Sequence, residues 1–164
     1  MPPCGHAGRR LPPLDILAGV TSPQRAPGGF PVVGIIGGGQ LARMCAAPGT
    51  PDYGRLSVML QARFRVTRLF TVPPGAFHPP PQVESAVARL VPLGADKPAI
   101  ADLALFARIV AAAFGQRRKT LRNALSTMAD HTAIRAVGID PSMRGETLSV
   151  AAFVRLANAL AGKR

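Results

Sequence analysis

The segment Pro73-Pro74-Gly75-Ala76-Phe77-His78-Pro79-Pro80-Pro81 packs five prolines around one aromatic ring. Prolyl rings fix φ and withhold an amide, so this stretch cannot run through a helix interior or a central strand; it stiffens a loop. A ring on a stiff loop surrenders little conformational freedom when it binds. Phe77 can therefore stack a flat ligand such as an unpaired base, a contact worth ~1–3 kcal/mol. The alternative is that Phe77 plugs the core beneath the loop. A second constellation is Gln116-Arg117-Arg118-Lys119-Thr120-Leu121-Arg122-Asn123, with four cations in six residues. On a helix opening at Thr120, Arg122 lies off the Leu121/Leu125 face and stays in solvent. Arg117, Arg118 and Lys119 fall at the break or first turn, where cations oppose the helix dipole. That cost is understandable if they face phosphate. Neutralising ~4 phosphates of a single strand gives a log–log salt slope of about −3. A solvated basic patch with no specific partner is the alternative.

Other chemistries are poorly provided for. His6, His78 and His131 are scattered, Glu84 and Glu146 are the only glutamates, and there is no Gly-x-Ser-x-Gly. Hydrolytic catalysis and a metal centre therefore lack the required spacing, and His78 reads as a loop histidine. Cys4 and Cys45 are too few for a disulfide framework and form no Cys-x-x-Cys. Gly37-Gly38-Gly39 follows the strand-like run Val32, Val33, Ile35, Ile36 and leads into a helix near Gln40. Such a turn can cradle a phosphate on free amides. It is not a full Gly-x-Gly-x-x-Gly or Gly-Lys-Ser/Thr pattern, and the plainer reading is a tight β-to-α connection.

Stepping outward, 164 residues at 48% apolar make one domain of ordinary size with a core to bury, built mostly from aliphatic residues because aromatics are only 5% and Trp is absent. The net charge of +12 points to a polyanionic partner. Residues 94–164 carry 11 basic and 5 acidic side chains, the largest excess of any region. No apolar run reaches the ~18 residues of a membrane span. Residues 1–30 are broken by Pro and Gly too often for a sustained period and read as a disordered leader. Residues 53–93 read as α then ββ: a helix from Tyr53 to Gln61 with Leu56, Met59 and Leu60 at helical spacing, a strand from Phe64 to Val72, and a second from Val83 to Leu93. Residues 100–164 read as helical. Leu103, Phe106, Val110 and Phe114 share one face up to Gly115. Leu121, Leu125 and Met128 share another over Thr120–Met128. Gly138–Pro141 forms a turn, and a last helix capped by Ser149 buries Phe153, Leu156 and Leu160.

Several blocks in order resemble one family. They are Pro48-Gly49-Thr50-Pro51-Asp52-Tyr53-Gly54-Arg55-Leu56-Ser57-Val58-Met59-Leu60-Gln61, then Leu69 to Val87 with its Phe-x-Pro-x-Pro-x-Val-x-Ser core, then Arg117 to Asn123, and Gly138-Ile139-Asp140-Pro141 to Leu148-Ser149. Over about residues 43–161 the chain resembles the ribosomal RNA adenine N6,N6-dimethyltransferases. The resemblance implies an α+β fold. Residues 31–93 would be the last strands of a Rossmann-like methyltransferase sheet, and 94–164 a small all-α C-terminal domain that docks on small-subunit rRNA. It implies transfer of methyl groups from S-adenosylmethionine to two adjacent adenines, with Phe77 as the base-stacking ring and Arg117, Arg118, Lys119 and Arg122 on RNA. It also implies a cytoplasmic protein of ribosome biogenesis, with no membrane or metal.

The family's cofactor half, with its glycine-rich opening and Asn-Leu-Pro-Tyr, has no match here, and the stretch before the matched region is too short for it. The expectation is a fragment that binds no cofactor and does not methylate alone, the product of a fusion, truncation or mis-assembled frame. A stand-alone RNA-binding module is the rival reading. A third arises because Val32–Met44 resembles the start of the ATP-grasp carboxylase that makes carboxyaminoimidazole ribonucleotide, which would imply a nucleotide-binding piece.

Overall fold

A computed structural model describes residues 31–116 and 118–162. The leader (1–30) and Arg117 lie outside the described residues. Strand β1 (Val32–Gly37) enters helix α1 (Gly38–Cys45) directly, and α2 (Arg55–Gln61) follows. Strands β2 (Phe64–Val72) and β3 (Ser85–Pro92) enclose the prolyl loop, which makes one 3-10 turn at Pro74–Ala76. Helices α3 (Leu103–Gly115), α4 (Leu121–Ala124), α5 (His131–Ala136) and α6 (Val150–Ala161) complete the chain, with a 3-10 turn at Gly145–Thr147 before α6.

The sheet has the order β1-β3-β2, and both pairings are antiparallel. Ile35 and Phe70 both pair with Val87, so the three form one cross-strand row, and β2 slips register between Arg68 and Phe70. Alternation puts the neighbouring rows on the other face. There Ala86 and Ala88 pack with Leu41 and Met44 of α1, flanked by Ile36, Leu60, Val66 and Leu90. The small alanines let α1 sit close to the sheet, while Ile35 (60% exposed) and Phe70 (50%) of the opposite row remain in solvent.

A larger core joins the helices. Phe106, Ile109 and Val110 of α3 pack with Phe153 and Leu156 of α6 and with Leu121, Leu125 and Ile134. Helix α2 shares this core through Val58, preceded by Tyr53, so packing runs without a break from the sheet's helices into the C-terminal ones. Asp102 and Ser149 cap α3 and α6 by accepting from the amides of Leu105 (2.9 Å) and Ala152 (3.3 Å).

The structure departs from the sequence reading at identifiable points. In α2 the buried positions are Ser57 and Val58, and Leu56 is exposed. Ser57 and Gln61 fasten α2 to α1 by donating to carbonyls, Ser57 to Arg43 and Gln61 to Met44 and Ala46, so polar bonds set the helix face. Val83 precedes β3 and is exposed. Leu103 opens α3 at an exposed position, although Phe106 and Val110 are fully buried as expected. The helix expected over Thr120–Met128 closes after Ala124, and α5 is an additional short helix.

Candidate nucleic-acid interface

Phe77 caps the 3-10 turn of the prolyl loop, its amide donating to the Pro74 carbonyl (3.2 Å). Its side chain is half-buried and belongs to neither hydrophobic cluster. His78 beside it is exposed. The loop returns to the sheet through Glu84, whose carbonyl accepts from the Gly38 amide (2.8 Å). A Cβ on Gly38 would stand 3.2 Å from that oxygen, which accounts for glycine there. The glycine turn is therefore a close β-to-α connection whose Gly38 amide is already bonded to protein.

Arg118 and Lys119 occupy the turn between α3 and α4, and Arg122 lies in α4; all three are exposed. The turn is held from below. Leu121 donates its amide to the Met143 carbonyl (2.8 Å) and Arg122 its amide to the Pro141 carbonyl (3.0 Å), while the Leu121 and Leu125 side chains are fully buried. The charged groups thus project from a fixed backbone.

Segment 140–143 is itself locked, because Asp140 accepts from the Ser142 amide (2.8 Å) and hydroxyl (2.7 Å). The Ser142 bonds, with a smaller contribution from Arg135, hold the Asp140 carboxyl below its ordinary value. Helix α5 adds His131 and Arg135, which sequence reasoning missed. With Thr120, Arg122, Asp140, Pro141 and Ser142 they line a surface cleft of about 170 Å³. The signals were present in Asp130 before a short apolar-containing run, Arg135 in its last turn and Gly138 after it. Neither Phe77 nor Arg118 and Lys119 line this cleft.

Residues 35–162 match the family described as ribosomal RNA adenine dimethylase. The chain belongs to that family. The ribosomal RNA small subunit methyltransferase A of Aromatoleum aromaticum is 60% identical over 121 residues, covering 74% of this chain and 46% of that relative. The protein of the same name from Xanthomonas campestris pv. campestris (strain B100) is 60% identical over 116 residues, covering 71% and 44%. The chain thus spans less than half the length of these relatives. Among solved structures, a dimethyladenosine transferase from Plasmodium falciparum superposes with a TM-score of 0.72 at 18% identity, over 82% of this chain and 58% of that one. The 23S rRNA methyltransferase ErmE gives 0.54 at 20% identity, over 80% and 55%. At those identities the likeness is one of fold, a methyltransferase fold to which the small sheet and its helices conform. The family match takes in the glycine turn from residue 35, and the likeness of Val32–Met44 to an ATP-grasp carboxylase gains no support.

The rRNA adenine dimethylases use S-adenosylmethionine. The described residues do not fit it. Open α/β sheets bind such ligands where parallel strands change direction of winding. This sheet has only antiparallel pairs, and the amide of Gly38 is engaged with Glu84. Among the described residues there is no cluster of His, Cys, Asp and Glu able to hold a metal, and no helix is long and apolar enough to cross a membrane.

Proposed function

We propose that this chain is the C-terminal portion of an rRNA adenine N6,N6-dimethyltransferase, and that its own work is to dock on the rRNA of the immature small ribosomal subunit in the cytoplasm. The observation that carries this reading is the continuous family match over 35–162, which takes in both the prolyl loop and the basic turn. In this reading residues 31–93 are the end of the catalytic sheet and 94–164 the RNA-docking helices. Arg118, Lys119 and Arg122, with Arg117 of the same run, lie along phosphates. Phe77 stacks on an extruded adenine, one of two adjacent targets. Methyl transfer then needs a cofactor-binding half that the described residues do not build.

Two assays test this. The chain is titrated with a small-subunit rRNA hairpin at several salt concentrations, alone and with Arg117, Arg118, Lys119 and Arg122 changed to Gln. The expected log–log slope is about −3 for the unmodified chain and markedly shallower for the variant. Equal affinity of the two overturns the docking role. In the second assay, unmethylated small subunits are incubated with the chain and labelled S-adenosylmethionine. No incorporation is expected, and turnover overturns the inactive-fragment part.

A further inference from the structure

The cleft between α4 and α5 collects positive charge from separate parts of the chain. The charge is that of Arg122 from α4 and Arg135 from α5; His131 of α5 and Thr120 line the same opening. The Arg122 and Arg135 side chains make no hydrogen bond or salt bridge among the described residues, although nearby acids are available to compete for them. Asp130 is taken by His131 Nδ1 (2.7 Å) and by the Thr132 hydroxyl (2.6 Å). Asp140 turns both oxygens onto Ser142 and meets Arg135 only as a neighbouring charge. Two guanidinium forks therefore stand at one opening with donors to spare, on a backbone fixed by the Leu121–Met143 and Arg122–Pro141 bonds.

The size of the cleft narrows what it holds. At about 170 Å³ it falls below the ~300–1,000 Å³ usual for a small-molecule site, and the Arg122 and Arg135 side chains are among those that line it. A single tetrahedral oxyanion suits it, whereas a base or a whole nucleotide does not. Arg122 also continues the exposed run of Arg118 and Lys119, so an anion in the cleft lies next in line to anything tracked by that run.

We infer that the Arg122–His131–Arg135 cleft is a seat for one phosphodiester of bound RNA, distinct from the exposed Arg118–Lys119 turn and fixing the register of the strand. This rests on the RNA-docking reading above. The seat differs from a diffuse basic patch in requiring the planar fork of Arg135 as well as its charge. It also makes α5, which supplies Arg135 and His131, part of the RNA footprint.

The test uses the full chain, a small-subunit rRNA hairpin and inorganic phosphate. Arg135→Gln is expected to weaken RNA binding about tenfold, as loss of a charged hydrogen-bond donor does. It is also expected to reduce the steepness of the salt slope by about 0.7, the value for one phosphate of a single strand. Arg135→Lys should keep the slope and recover only part of the affinity. Arg108→Gln, which removes an exposed charge from α3 outside the cleft, should change the slope less than Arg135→Gln. If Arg118→Gln with Lys119→Gln weakens binding while Arg135→Gln does not, the seat is refuted and the docking reading survives. If neither does, both fall. If phosphate alone shifts the His131 ring resonances but Arg135→Gln leaves RNA affinity intact, the cleft takes free anions, and the RNA assignment is overturned.

Discussion

The phenol of Tyr53 donates a hydrogen bond of 2.8 Å to the carbonyl of Leu148, a residue 95 positions further along the chain. Both residues are buried, and the ring meets Phe114 edge-on at 5.9 Å. This bond ties the entry to α2 to the entry to α6, fastening the sheet's helices to the C-terminal core. Tyr53→Phe keeps the ring contact but leaves a buried carbonyl unpaired, so a loss of roughly 1–3 kcal/mol in urea denaturation is expected. Desolvation pushes the Tyr53 hydroxyl up to about 12 from an ordinary 10.0. Above pH 10 the unfolded chain releases this proton first, so stability present below pH 10 is lost as pH rises towards 12. That alkaline limb should be absent in Tyr53→Phe.

Gly145 lies where the 3-10 turn before α6 presses on α3. A Cβ there would stand 2.8 Å from the Ala113 carbonyl oxygen and 3.0 Å from its Cβ. Backbone cannot yield as a flexible side chain does, so Gly145→Ala should cost about 1–3 kcal/mol, read as a lower urea midpoint at unchanged slope. Gly115→Ala, in open space at the end of α3, is the matched comparison and should be neutral or slightly stabilising.

Phe77 offers a separation of binding from stability. Because the ring belongs to neither core cluster, Phe77→Ala should leave the thermal midpoint nearly unchanged. If the ring stacks on a base, the same change weakens binding of an adenine-containing single strand by about 1–3 kcal/mol, and Phe77→Tyr retains most of it. Quenching of a fluorescent adenine analogue in the strand reads the contact directly.

Asp140 and Ser142 support the basic turn from beneath. The depressed Asp140 carboxyl contributes stability above its ordinary value of 3.8, which is lost as pH falls through the lower folded value. Ser142→Ala removes the hydroxyl bond, so the acid transition should begin at a higher pH. A carboxyl titration of Asp140 by NMR, compared between the two proteins, checks the direction.

The long helices were legible because their stabilisation is periodic. Phe106 and Val110 in α3, and Phe153 and Leu156 in α6, mark buried faces that repeat often enough to be read, and Ser149 marks where α6 starts. The strands were legible for the same reason, although Val83 misled because an apolar residue before a strand resembles its first rung. Helix α2 was harder to read because Ser57 and Gln61 hydrogen bonds join the Leu60 packing in fastening it to α1, while Leu56 stays exposed. Helices α4 and α5 were blurred because four and six residues hold too little period to resolve. At the candidate interface, the Arg118–Arg122 run was visible as a local charge density. The cleft was not, because Arg122 and Arg135 stand 13 positions apart in the sequence and share one opening only in the fold.

Among the described residues strand β1 pairs along one flank only, and the row Ile35–Val87–Phe70 faces away from α1. Those two features make the sheet's rim both a template and an adhesive. A lysine in place of Val33 on that outer rung, where the side chain is exposed, is therefore expected to slow self-association, read by light scattering of a concentrated preparation.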